Sequence, residues 1–261
     1  MSKFIPIEFQ KSFERTKQTA IAITAKFSAT DNRMVSKFGG YPYWQADVKL
    51  PMDTDNTPMA LLVQINFADM PAHPDLPNKG ILQYFIPKHD EYYGANLEAI
   101  GAGKLVTQFW QNPDESLLTD WQENLSYDDL TPINGTHLLT FSEKQEIAGI
   151  DTIECAESMQ ANPFEVLEDV SLNEKEENLF YEAIVEKVSA DGHKLLGYPY
   201  FIDEEPRENS DYRLLLQIDT DTDGDNDIMW GDNGVGYLFI RNEDLKAGRF
   251  DKVWFWWDCI I

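Results

Sequence analysis

Cations are scarce in this chain. Lys and Arg number 21 against 46 Asp and Glu, a formal net charge of −25. Nucleic-acid phosphates and anionic membrane surfaces are held by Lys and Arg clusters and repel carboxylates, so neither is an expected partner. Cysteine is scarcer still, with only Cys155 and Cys259 and no C-x-x-C pair. That argues against a disulfide scaffold and for a reducing compartment, the cytosol. No apolar run of about 18 residues is present, so no membrane span is expected. The opening residues Met1-Ser2-Lys3-Phe4-Ile5-Pro6 lead into charged sequence rather than an apolar core, so no secretory leader is read there.

Signatures of catalysis are missing as well. The four histidines, His73, His89, His137 and His193, fall at no zinc spacing such as H-E-x-x-H. No G-x-S-x-G nucleophile elbow occurs. Gly101-x-Gly103-Lys104 is a fragment of a phosphate loop, without the further glycines or the hydroxyl after the lysine. With 46 carboxylates, some acidic pair falls close by chance, so a glycosidase-type dyad is not inferred.

What the chain does contain is one phrase used twice. Ser36-Lys37-Phe38-Gly39-Gly40-Tyr41-Pro42-Tyr43-Trp44 is answered by His193-Lys194-Leu195-Leu196-Gly197-Tyr198-Pro199-Tyr200-Phe201. Leu61-Leu62-Val63-Gln64-Ile65 is answered by Leu215-Leu216-Gln217-Ile218, and Gly80 to Ile86 by Gly234 to Ile240. Three matched blocks in one order point to an internal duplication, with units of about 34–111 and 191–261. An acidic, partly helical segment of about 141–190 joins them. Leu179, Phe180, Ala183, Ile184 and Val188 recur there at helical steps.

Local patterns fill in the elements. Phe9 and Phe13 sit among charged residues in Ile7 to Gln18, the spacing of a short helix. Ile21, Ile23, Ala25 and Phe27 alternate as a strand with one buried face. Gly39-Gly40 and Pro42 demand a turn. Met59–Asn66, Ile81–Ile86 and Leu105–Trp110 are short apolar runs that read as strands. Val253-Trp254-Phe255-Trp256-Trp257 places aromatics on both faces, which predicts a central or sandwiched strand in a packed core. The expected fold is α+β. A duplicated, mostly antiparallel β unit forms one compact domain over 1–261, with peripheral helices.

The repeated words, with Leu76-Pro77-x-x-Gly80-Ile81-Leu82-Gln83-Tyr84-Phe85, Pro206-Arg207 and Trp230-Gly231-Asp232-x-Gly234, resemble the YwqG-like family of uncharacterised bacterial proteins. The resemblance runs through nearly the whole chain. It implies an α+β fold with a repeated β unit and transfers no catalytic residue. Leu196 departs from it, standing where a second glycine is expected beside Gly197.

Two sets of residues are candidates for a site. Lys37 and Lys194 occupy matched turns, and Gln64 and Gln217 lie in matched apolar strands. If the four converge, they make a ligand cleft between the units; otherwise the lysines bond locally and the glutamines anchor loop backbone. The second set is Asp219, Asp221, Asp223, Asp225 and Asp227, which with Gly224 begin like a calcium loop. The twelfth position is Trp230 instead of a bidentate Glu, so a Ca²⁺ site competes with a solvated acidic turn. Two functions follow. One is a non-enzymatic cytosolic protein, regulatory or immunity-like, whose acidic surface takes a basic protein partner. The alternative is a small-molecule-binding or divalent-metal-dependent enzyme using the cleft between the repeats.

Overall fold

The alternation that begins at Gln18 builds the first member of a large sheet. β1 spans Gln18–Phe27 and is flanked in sequence by helix α1, Ile7–Arg15. The remaining strands of the first half are β2 (Lys37–Gly39), β3 (Ala60–Asn66), β4 (Ile81–Ile86) and β5 (Val106–Trp110). After β6 (Thr136–Glu146) come three helices, α2 (Ile153–Met159), α3 (Pro163–Asp169) and α4 (Glu174–Val188). The second half carries β7 (Lys194–Leu195), β8 (Tyr212–Asp219), β9 (Asp221–Asp223), β10 (Asn226–Ile228), β11 (Val235–Arg241), α5 (Asn242–Lys246) and β12 (Val253–Asp258). The computed structural model describes residues 5–30, 32–119, 130–169, 173–188, 190–223 and 226–260.

Ten strands form one sheet in the order β12-β11-β8-β7-β1-β6-β2-β3-β4-β5, with antiparallel pairing throughout. The centre is the β1–β6 ladder, in register from Gln18↔Glu146 to Phe27↔His137. Outward from it, β2-β3-β4-β5 lie on one side and β7-β8-β11-β12 on the other. Both flanks carry a bulge. Leu62 is passed over between β3 and β4, and Leu215 between β8 and β11. A bulge increases twist and bends the strand, which curls the sheet.

The curl brings the distant ends together. Tyr84 Oη donates to Phe250 O at 2.9 Å, and Phe255 N donates to Gly101 O at 3.0 Å. The concave face encloses the main core, where Leu82, Tyr84 and Ile86 share a cluster with Leu216, Leu238 and Phe255. On the convex face, each flank has its own aromatic cluster. Tyr43, Trp44, Phe85 and Trp110 form one, and Phe201, Tyr237, Phe239 and Trp254 form the other. Helices cover part of the rest, with Phe9 of α1 packed edge-on at 5.4 Å against Phe180 of α4. Burying each such side chain contributes about 1.5–3 kcal/mol, so these clusters fix the sheet's shape.

Three readings of the sequence are narrowed. The joining segment of about 141–190 is partly strand and partly helix: Phe141 to Glu146 finish β6, a central strand, and α2, α3 and α4 follow. Of the two readings of the aromatic segment, the sandwiched one fits: β12 is an edge of the ladder, its faces packed and part of its open rim met by Gly101 O. The Asp-rich stretch folds as a ribbon, with β9 and β10 paired as a separate two-stranded sheet. Both cysteines are free thiols. No helix among the described residues is long and apolar enough to cross a membrane.

Candidate functional site

The paired lysines and glutamines sit as neighbours within each flank. Lys37 lies opposite Gln64 across β2–β3, and Lys194 opposite Gln217 across β7–β8. Between the two pairs run β1 and β6, so strand spacing alone sets them about 14 Å apart. The four do not meet in one cleft.

Each glutamine clamps a loop instead. Gln64 Nε2 donates to Arg33 O at 2.9 Å and Val35 O at 2.8 Å, while its Oε1 accepts from Tyr43 N at 2.7 Å. Gln217 Nε2 donates to Ala190 O at 2.9 Å and Gly192 O at 2.8 Å, while its Oε1 accepts from Tyr200 N at 2.9 Å. A buried amide has to satisfy its own donors and acceptor, and the loop backbone has to satisfy its own. One side chain does both in each flank.

Lys194 anchors the more polar of the two turns. Its Nζ lies 3.1 and 3.3 Å from the Glu146 carboxylate oxygens and 2.5 Å from Ala190 O. Both side chains of this pair are 2 % exposed. Glu146 Oε2 also accepts from Tyr198 N at 3.0 Å. A Cβ at Gly197 would stand 2.2 Å from that oxygen, so only glycine lets the carboxylate approach the turn. Burial pulls the Lys194 ammonium down to about 8, while Glu146 pulls the other way. Lys37 is also fully buried, and its Nζ donates to Asn32 O at 2.9 Å.

The outer strands carry a second matched position with different chemistry. In the first flank, Gln83 Nε2 donates to Tyr43 O and Gln64 Oε1, both at 2.7 Å, and Trp110 Nε1 donates to Gln83 Oε1 at 2.8 Å. In the second, Tyr237 Oη lies 2.6 Å from Tyr200 O and 2.9 Å from Asp258 Oδ1. A phenol has one proton, so both contacts are hydrogen bonds only when Asp258 is protonated and donates. Burial raises the Asp258 carboxyl, while hydrogen bonds from Tyr237 and from the Ile202 and Asp203 amides pull it back down. Its other oxygen accepts from Ile202 N at 3.1 Å and Asp203 N at 3.3 Å.

The Asp-rich ribbon scatters its carboxylates. Register pairs Asp221 with Ile228 and Thr222 with Asp227, which puts Asp221 and Asp227 on opposite faces. Asp219 is spent on backbone, accepting from Gly192 N and Thr220 N. Asp221 lies 3.5 Å from His193 Nε2, and its hydrogen bond to that ring lowers its carboxyl. Asp225 and the side chain of Asp223 lie outside the described residues. Among the described residues, no three His, Cys, Asp or Glu side chains gather to hold a metal.

Sequence reasoning missed the concave site on the helical side. A cleft of about 570 Å³ opens between α2, α3 and the turn at Glu205. Ile150, Ile153, Ala156 and Phe164 supply apolar wall, while Asp151, Glu157 and Glu205 supply carboxylates. Beneath it, Arg207 is 1 % exposed and ties Glu205 to Glu154 with bonds of 2.7–3.0 Å. The Pro206-Arg207 step was the visible signal, but Glu154 is far from it in sequence. A family model described as a domain of unknown function (DUF1963) matches residues 36–259, consistent with the YwqG-like resemblance. No curated protein matches the chain.

Proposed function

Starting from membership of this chain in the DUF1963 family, we propose that it is a cytosolic binding protein, built from a duplicated β unit, that receives a basic protein partner on its acidic surface. Surface charge carries the reading. Among the described residues, burial withdraws Lys37, Lys88, Lys194 and Arg207 from the 21 cations, but only Glu146, Asp244 and Asp258 from the 46 carboxylates. The accessible surface is therefore as one-sided as the composition. A potential of one sign steers oppositely charged proteins and repels like ones. Matching bonds from Gln64 and Gln217, and the matched bulges at Leu62 and Leu215, support the duplication. Two free thiols fit a reducing compartment. Such a protein works as an immunity-type or regulatory factor does, by occupying its partner.

The test is affinity capture from the host lysate at low and high salt, followed by titration with the purified partner. A basic protein whose affinity falls as salt rises is the expected result. Recovery of no salt-sensitive basic protein overturns the reading. A second reading, a divalent cation on the Asp-rich ribbon serving an enzyme, has one observation in its favour: Asp227 Oδ1 is buried and lacks a partner among the described residues. Calorimetric titration with calcium, magnesium and manganese decides it, and an absence of binding heat removes it.

A further inference from the structure

We propose that the cleft between α2, α3 and the Glu205 turn is the docking site for a short basic, amphipathic segment of the partner protein, one that presents Lys or Arg beside an apolar anchor. This deepens the acidic-surface reading and rests on it. The cleft has the size of a ligand site, about 570 Å³ against a usual range of about 300–1,000 Å³. Its two chemistries lie side by side. Phe164 leaves 48 % of its surface in water, uncommon for a large aromatic, and Ile153 and Ala156 continue the apolar wall.

Charge identifies the occupant. Glu154 and Glu205 share the single guanidinium of Arg207, so that trio keeps one net negative charge. Asp151 and Glu157 have no cation within ion-pair distance among the described residues. Asp151 and Glu157 are both exposed and so open to a partner's cations. Three carboxylates, Asp151, Glu157 and Glu205, therefore line this cleft, and the nearest fixed cation, Arg207, is shared between Glu205 and Glu154. A second copy of this chain is a poor occupant, because each copy carries −25. Oligocations without apolar groups leave Phe164 and Ile153 in water. A segment that alternates cationic and apolar residues satisfies both surfaces, as a helix or strand in a groove does.

The probes are a short labelled peptide alternating Lys and Leu, an oligolysine of equal charge and the Lys→Glu version of the first. Binding is read by fluorescence anisotropy and by amide shifts in NMR spectra. The alternating peptide is expected to bind more tightly than oligolysine and to shift the amides of Ile153 and Ala156. Asp151→Lys with Glu157→Lys is expected to weaken it about tenfold, and Phe164→Ser to erase its advantage over oligolysine. Thermal melting confirms that each variant folds. If the two cationic peptides bind equally and neither variant changes this, the cleft is overturned while the acidic-surface reading stands. If neither peptide binds at low salt, both fall.

Discussion

Lys37–Gln64 and Lys194–Gln217 are two versions of one arrangement, and they differ in what surrounds the shared part. In both, a glutamine holds two carbonyls of the preceding loop and one amide of the following turn. In both, the chain then passes through two residues with positive φ, Gly39 and Gly40 at 62° and 73°, Leu196 and Gly197 at 61° and 77°. Beyond that the chemistry diverges. The first version is completed by neutral amide and indole groups, Gln83 and Trp110. The second is completed by ionisable ones, Glu146, Tyr237 and Asp258. Backbone geometry is thus set by a few shared atoms, while the groups that finish the network are exchangeable and decide how it responds to pH.

The sharpest way to break the correspondence is to exchange its odd residue. Leu196 holds the left-handed conformation that glycine holds at 39, at a strain of about 1–2 kcal/mol. The positions are nevertheless not interchangeable. A Cβ at Gly39 would stand 2.3 Å from Gly135 O and 2.8 Å from Ile133 Cγ2, both on the chain leading into β6. Gly39→Leu is expected to lose at least about 4 kcal/mol, or the folded state altogether. Leu196→Gly removes a fully buried side chain but relieves the strain, for a net loss of about 2–3 kcal/mol. Urea denaturation of both variants checks this, and equal losses would mean that the steric difference between the turns is not real.

Next in size is the shared clamp. Gln217→Ala leaves Ala190 O, Gly192 O and Tyr200 N without their partner, and Gln64→Ala does the same to Arg33 O, Val35 O and Tyr43 N. Unsatisfied buried groups cost about 1–3 kcal/mol each, so after partial relaxation each variant is expected to lose about 3–5 kcal/mol. Hydrogen exchange then locates the damage: faster exchange at Tyr200 in one variant and at Tyr43 in the other. A loss confined to one flank would break the equivalence.

The parts that sequence reveals here are the local ones. β1, β3, β4 and β5 follow from apolar periodicity, and the turn follows from its glycines and proline. Chemistry assembled across the sheet stayed hidden. Glu146 meets Lys194 only because β6 and β7 flank the same strand, and its setting in Glu143-Lys144-Gln145-Glu146 looks like the start of a polar helix. The ten-residue ladder with β1 overrides that local preference. Gly197 reads as a turn residue, yet its second duty, admitting the Glu146 carboxylate, shows only in space. The arrangement of the Asp-rich run is hidden for a related reason: alternate spacing puts ligands on one side of a loop but, once the chain doubles back as a ribbon, divides Asp221 from Asp227.

The smallest expected effect is the one that sharpens the contrast between a neutral and an ionisable network. Burial raises the Asp258 carboxyl, so the folded state holds its proton more tightly than the unfolded chain does. The stability this contributes is complete below the unfolded value of about 3.9 and is lost as pH rises through the higher folded value. Above that folded value the Tyr237 phenol faces two acceptors with one proton. Asp258→Asn restores a donor at that position, copying the Gln83 amide of the other flank, while its carbonyl still accepts from Ile202 N and Asp203 N. The variant is expected to gain about 1 kcal/mol at pH 7, one neutral hydrogen bond. That advantage disappears below pH about 4, where the wild-type carboxyl is protonated in both states. Melting curves of the two proteins across that range decide the matter. A variant less stable than wild type at pH 7 and unchanged in relative stability at low pH would show that Asp258 is held as a carboxylate, and that the two flanks differ in shape more than in charge.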